Sequence, residues 1–254
     1  MHDKIQYTPR TKRIGLIVPS SNTNAEPDCM MLCPTGVTIH SARSGGYDVD
    51  AIPDSAEMRK FVRQSLDQNC KDLTDARVDL IAYGCTSATL AEGPAFDATF
   101  CNKLTEMTGR PAVTTAGALV EAIQYVCAKQ VAFTSPYVKT LSKEAVSYLI
   151  DSGIDVVKEV SFNNELNSLE QNALTPQDAY DSALKADHPD AEAIVISCTD
   201  YRALEAVPAI EKALSKPVIT SNQALMFACL KRIDAPLWGL TAGGYLFSNS
   251  DWKR

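Results

Sequence analysis

Two short stretches of this chain read as copies of one another, and the duplication restricts the possible folds more than any other feature. The first is Asp79-Leu80-Ile81-Ala82-Tyr83-Gly84-Cys85-Thr86-Ser87, and the second is Glu192-Ala193-Ile194-Val195-Ile196-Ser197-Cys198-Thr199-Asp200. Each is an acidic residue, a mostly aliphatic run of four, a small residue and Cys-Thr. A continuous apolar run of that length predicts a strand buried on both faces. The Cys-Thr pair then falls at the strand's carboxyl end, where open α/β sheets bind ligands. An apolar helical pattern follows in both copies, which puts each thiol near a helix N-terminus. There a partial positive charge lowers a thiol's pKa, and unsatisfied N–H groups can hold an anion.

The rest of the chain repeats in the same order. Ile14–Pro19 reads as a strand running into the polar loop Ser20-Ser21-Asn22-Thr23, and Gln130–Thr134 reads as its counterpart, ending in Ser135-Pro136-Tyr137. Val37–His40 and Ile154–Val160 are the second strands of the two halves. Asp54 with Glu57 three residues on fits a capping box, and Met58, Phe61, Val62, Leu66 and Cys70 then recur at helical spacing, predicting one amphipathic helix. Val138, Leu141, Ala145 and Leu149 form a second stripe, closed by Gly153. Thr175-Pro176-Gln177-Asp178 is a strong helix start. Leu204, Val207, Ile210 and Leu214 predict the helix after Cys198. Arg110-Pro111-Ala112-Val113-Thr114-Thr115 matches Lys216-Pro217-Val218-Ile219-Thr220-Ser221, giving each half a fourth strand.

Strands alternating with helices imply parallel sheets covered on both faces. The expected fold is therefore α/β: two similar lobes, each a four-stranded parallel sheet flanked by helices, related by a pseudo-twofold axis with the site in the cleft between them. The helix after each fourth strand should cross to the other lobe. The lobes would be residues 13–118 with 224–254, and residues 119–223. The polar residues 1–12 read as an arm, and Leu237–Phe247 as a final Gly-rich strand or loop.

Composition removes several classes of function. A formal net charge of −7 offers no basic face to a nucleic acid. No apolar run reaches transmembrane length, and MHDKIQYTPRTKR lacks the apolar core of a signal peptide, so a cytoplasmic protein is expected. In that compartment the eight cysteines should be reduced thiols. Cys29 and Cys33 have no second Cys or His pair to complete a metal site, and Cys70, Cys127 and Cys229 read as core. His2, His40 and His188 are scattered, and neither a GxGxxG nor a P-loop is present.

The residues that remain are Cys85 and Cys198, with Thr86, Ser87, Thr199 and the following N–H groups as donors for a developing negative charge. One thiolate and one thiol, titrating as a coupled pair, would suit proton transfer from two sides of a carboxylate. Asn22, Ser20 and Ser21 follow a strand end on the same side. They read equally as turn residues and as ligand contacts.

RIGLIVPSSNT at residues 13–23, together with Cys85 and Cys198 in these places, resembles the aspartate/glutamate racemase superfamily. Within it, the match is to the branch holding maleate cis–trans isomerase and arylmalonate decarboxylase. The resemblance covers most of the chain. It implies an enzyme that needs no metal or organic cofactor and acts on a small carboxylate or dicarboxylate, and an assembly of identical subunits. It also implies Cys85 as nucleophile or base and Cys198 as its acid–base partner, with Asn22, Tyr137 and Asn167 as substrate contacts; Asn164 is a less favoured choice for the last.

Two departures carry information. Cys85-Thr86-Ser87-Ala88-Thr89 is similar to the carboxylate-holding loop of arylmalonate decarboxylase, which lacks a cysteine at the first position. Two thiols favour isomerisation or racemisation over one-sided decarboxylation. Asp200, beside Cys198, would repel a dianion or hold an amino group, and SCTDYRAL resembles superfamily members from ectoine utilisation. The leading expectation is a maleate-type isomerase. The alternatives are a racemase of an amino acid or N-acyl amino acid, a decarboxylase or lyase of the same superfamily, and, from another class, a two-lobed ligand-binding protein.

Overall fold

A computed structural model describes residues 12–46, 48–162 and 164–248. Of the polar arm only Lys12 lies within the described residues, where it opens the first strand. The first half runs β1 (Lys12–Pro19), α1 (Ala25–Met31), β2 (Val37–Ser44), α2 (Ser55–Phe61), α3 (Leu66–Asp75), β3 (Leu80–Tyr83), α4 (Thr86–Leu90), α5 (Pro94–Thr108), β4 (Ala112–Thr114) and α6 (Thr115–Tyr125). The second runs β5 (Gln130–Ser135), α7 (Lys139–Asp151), β6 (Asp155–Ser161), α8 (Ser168–Asn172), α9 (Pro176–Ala186), β7 (Ala193–Ile196), α10 (Val207–Leu214), β8 (Val218–Thr220) and α11 (Ser221–Arg232).

The strands form two four-stranded parallel sheets of identical order, β2-β1-β3-β4 and β6-β5-β7-β8. In each, strand order reverses between the first and third strands of the half, which opens a crevice at their carboxyl ends. The aliphatic runs behave as their composition demands: every residue of β3 and β7 is buried. The residue after each run closes onto the neighbouring strand, Gly84 N donating to Ile17 O at 2.7 Å and Ser197 N to Thr134 O at 2.9 Å. Gly84 is required there, because a Cβ would lie 2.9 Å from Leu16 Cδ1 and 3.1 Å from Ile17 O.

α6 and α11 leave the fourth strand of each half and pack against each other, and each also reaches the opposite sheet. Ser221 through Leu230 are buried without a break. A helix covered on all sides is an interior element, and this one sits between the two sheets. The Thr241–Phe247 turns lie against α10 and β8, on the second sheet, although residues 224–254 were expected with the first lobe.

The single helix expected across Met58–Cys70 is two helices. Asp54 accepts from Glu57 N as expected, but Val62–Ser65 forms turns and Ser65 takes a φ of 54°. Gln64 N donates to Phe61 O, and the Gln64 side chain donates to Gly46 O. The stripe survives the break, with Met58, Phe61, Val62, Leu66 and Cys70 all buried.

Candidate functional site

One small cavity of about 50 Å³ is lined by the loops after β1, β3, β5 and β7, the four strands that flank the two switch points. The duplicated architecture brings Cys85, Thr86 and Ser87 from one half against Tyr137, Cys198, Thr199 and Asp200 from the other, and Ser21 and Asn22 complete the wall.

Cys85 sits at the N-cap of α4 in extended conformation. Its sulfur lies 3.7 Å from Ser87 Oγ, whose hydroxyl is within 3.1 Å of Met58 Sδ. Burial pushes this thiol up; the N–H of Ala88 and the Ser87 hydroxyl pull the other way without cancelling it. Cys198 holds a φ of 156°, a region that L residues seldom adopt. Its Sγ accepts from Asp200 N at 3.4 Å and faces Gln171 Oε1 at 3.9 Å. Burial, and next the charge of Asp200, push it well above the usual thiol range, with Cys85 adding to the effect and Tyr137 opposing it. Each sulfur thus feels the other's cavity neighbours.

Two expectations are corrected by this geometry. Cys198 is not at a helix N-terminus: Thr199–Arg202 is a turn, and a single 3-10 turn at Leu204–Ala206 precedes α10. No helix dipole stands at Cys198 to offset the burial of its thiol. The two threonine hydroxyls are also already committed. Thr86 Oγ1 donates to Ser221 Oγ at 2.9 Å, and Thr199 Oγ1 donates to Gly84 O at 3.0 Å. These are cross-links between halves.

Asn22 is a hub as well as a wall residue. Its Oδ1 accepts from Asn24 N and Ala25 N, and its Nδ2 donates to Thr199 Oγ1 at 3.1 Å. Tyr137 is buried with its hydroxyl 3.2 Å from Ser197 Oγ. Asn167 is not in the wall: it caps α8 through a capping box with Glu170, and the same helix presents Ser168 and Gln171 to the cavity instead. Asn164 is exposed at a separate surface groove.

Sequence reading missed Gln171, Ser168, Met58, Phe61, Pro19 and Pro53 in the wall, and Ser221 behind it. Ser221 Oγ accepts from Cys198 N at 3.0 Å and from Thr86 Oγ1, so one buried hydroxyl joins the two cysteine turns. The match between Thr115 and Ser221 in the duplicated fourth strand was the available signal. Among the described residues no group of three or more His, Cys, Asp or Glu is gathered to hold a metal, and no helix is long and apolar enough to cross a membrane.

Two parallel four-stranded sheets, each delivering a Cys-Thr turn to one shared cavity, define a member of the aspartate/glutamate racemase-like superfamily. A family model described as arylmalonate decarboxylase matches residues 14–245, and the chain belongs to that family. It is 29% identical to a maleate isomerase of Geobacillus stearothermophilus over 92% of this chain and 96% of that one. To a maleate isomerase of Pseudomonas putida it is 30% identical, covering 87% and 92%. The solved maleate isomerase Iso of Pseudomonas putida S16 superposes with a TM-score of 0.87 at 29% identity, over 94% of this chain and 99% of that one. A cysteine-to-alanine form of that enzyme has been solved with maleate, at the same TM-score.

Proposed function

We infer that the protein is a two-cysteine isomerase of a small carboxylate, working by maleate-type cis–trans isomerisation. The observation that carries this reading is the pair of thiols at matching strand ends on one small cavity, in a chain similar to maleate isomerases along nearly its whole length. Cys85 is the better nucleophile: burial pushes both thiols up, but the charge of Asp200 is the second-largest influence against a thiolate at Cys198 and the smallest of those acting on Cys85.

In the reaction, Cys85 gives up its proton to solvent, and the thiolate so formed adds to the β-carbon of the enoate. The C–S bond forms, the double bond becomes single, and its electrons move into an enediolate. The turn N–H groups, fixed by the Cys198–Ser221–Thr86 link, meet that charge. Rotation about the new single bond followed by C–S cleavage returns the other geometric isomer and the thiolate. Cys198, on the opposite side, is the acid–base partner: a proton that it gives to the enediolate carbon it also takes back, so that the C–S bond can break. This chemistry draws on no cofactor. All eight cysteines are free, and we place the protein in the cytoplasm, where thiols stay reduced. We take the lobes as 13–118 with part of the C-terminal piece, and 119–223 with the Thr241–Phe247 turns on its sheet.

The test is kinetic. Maleate conversion to fumarate, followed by NMR, should fall by about 10²–10⁴-fold in both Cys85→Ser and Cys198→Ser. Unimpaired turnover in either variant removes that cysteine from the chemistry.

A further inference from the structure

The cavity holds an unbalanced charge. Among the described residues its wall contains no lysine, arginine or histidine, and the ionisable groups besides the thiols and Tyr137 come down to the carboxyl of Asp200. That side chain is only 8% exposed. Its Oδ1 accepts from Thr23 N at 3.1 Å and from Asn24 Nδ2 at 3.0 Å, which ties the β1 loop to the Cys198 turn. The carboxyl borders the cavity, and no cation stands beside it in the described wall. A largely buried carboxylate without a paired charge is costly, and a ligand's cationic group is positioned to supply one.

The charges around Asp200 do not neutralise it. Arg43 is the cation that acts on it, but its guanidinium is paired with Glu26 and donates to Ser20 O and Asn22 O, behind the loop. Cys198 lies on the other side, and its thiol is held neutral in part by Asp200. Burial lifts the Asp200 carboxyl to about 6, so above that pH the wall carries a negative charge where a dicarboxylate would place another.

We propose that the Asp200 carboxyl sets the charge class of the substrate: a small unsaturated carboxylate that carries an ammonium group on the side of Cys198. Its single carboxylate meets the N–H groups of the Cys85 turn, and its ammonium donates to Asp200. This rests on the isomerase reading above and narrows the substrate within it.

Two four-carbon probes separate the possibilities: maleate, a dianion, and (Z)-4-aminobut-2-enoate, which replaces one carboxylate by an aminomethyl group. Both are followed by NMR at pH 8 with the wild-type protein and with Asp200→Asn, whose amide oxygen can still accept from Thr23 and Asn24. The expected result is at least a tenfold preference of the wild type for the ammonium acid in kcat/KM. Asp200→Asn should lower or reverse that preference at least tenfold, through a raised KM for the ammonium acid and a lowered one for maleate. A wild type that prefers maleate, or a ratio that Asp200→Asn leaves unchanged, overturns the proposal. Calorimetric binding of the same two acids keeps the readings distinct. Tighter binding of the ammonium acid that depends on Asp200, without turnover of either acid, upholds the charge assignment and defeats the isomerase reading. Tighter binding of maleate, or no binding of the ammonium acid, defeats the charge assignment.

Discussion

At Cys85 and Cys198, burial and catalysis pull in opposite directions. A thiolate is the reactive form, yet both thiols are pushed up by burial. The site answers this with fixed hydrogen bonds, and Ser221 organises them. Its hydroxyl takes the Cys198 N–H and the Thr86 O–H, so replacing it leaves two buried donors without an acceptor. Ser221→Ala should cost about 1–3 kcal/mol of stability by loss of paired donors. It should also lower kcat roughly tenfold or more, with KM less affected, because the two turns lose their common anchor. Ser221→Thr, which restores the hydroxyl found at Thr115 in the other half, should recover more activity than Ser221→Ala. Thermal unfolding and steady-state kinetics on both variants check this. An alanine variant with wild-type kcat would show that the link is dispensable.

At the scale of elements, three buried carboxyls give the fold an unusual dependence on pH. Glu211 on α10 accepts from Val218 N at the start of β8 and from Tyr245 N in the last turn, and burial lifts it to about 7. Asp28 on α1, which accepts from Asn222 Nδ2, is lifted to about 7, and Asp200 to about 6, both by burial. A carboxyl raised in the folded state binds its proton more tightly there than in the unfolded chain. Its contribution is therefore fully present at low pH and is lost as pH rises from the unfolded value near 4 through the folded one. Each group accounts for on the order of 3 kcal/mol. The melting temperature should fall between pH 5 and pH 7.5, and Glu211→Gln should flatten that fall. A flat profile in the wild type would contradict the burial of these protons.

The elements differ in how plainly the chain announces them. The apolar runs of β3 and β7 were legible because a strand covered on both faces tolerates nothing else. The capped start of α9 was legible because Thr175 and Asp178 satisfy each other's backbone. The break between α2 and α3 was not, since a buried stripe keeps its period across a turn. α8 was not legible either, being five residues long with no room for a period. Gln171 was lost with it, and Asn167 read as a substrate contact where it serves as a cap.

At the scale of the molecule, duplication builds the cavity. Two identical strand orders place two switch points face to face, and α6 and α11 lock them together. The cavity exists only where the halves meet, so neither half holds a complete site. The central claim is that both sulfurs act on the same bound acid. The most direct measurement is to incubate Cys198→Ser with maleate and map the product by peptide mass spectrometry. With its acid–base partner gone, the enediolate on Cys85 should take a proton from water and keep its C–S bond. The account predicts a single succinyl group on Cys85, absent from Cys85→Ser. A protein left unmodified at Cys85, or labelled instead at the exposed Cys127, would contradict it.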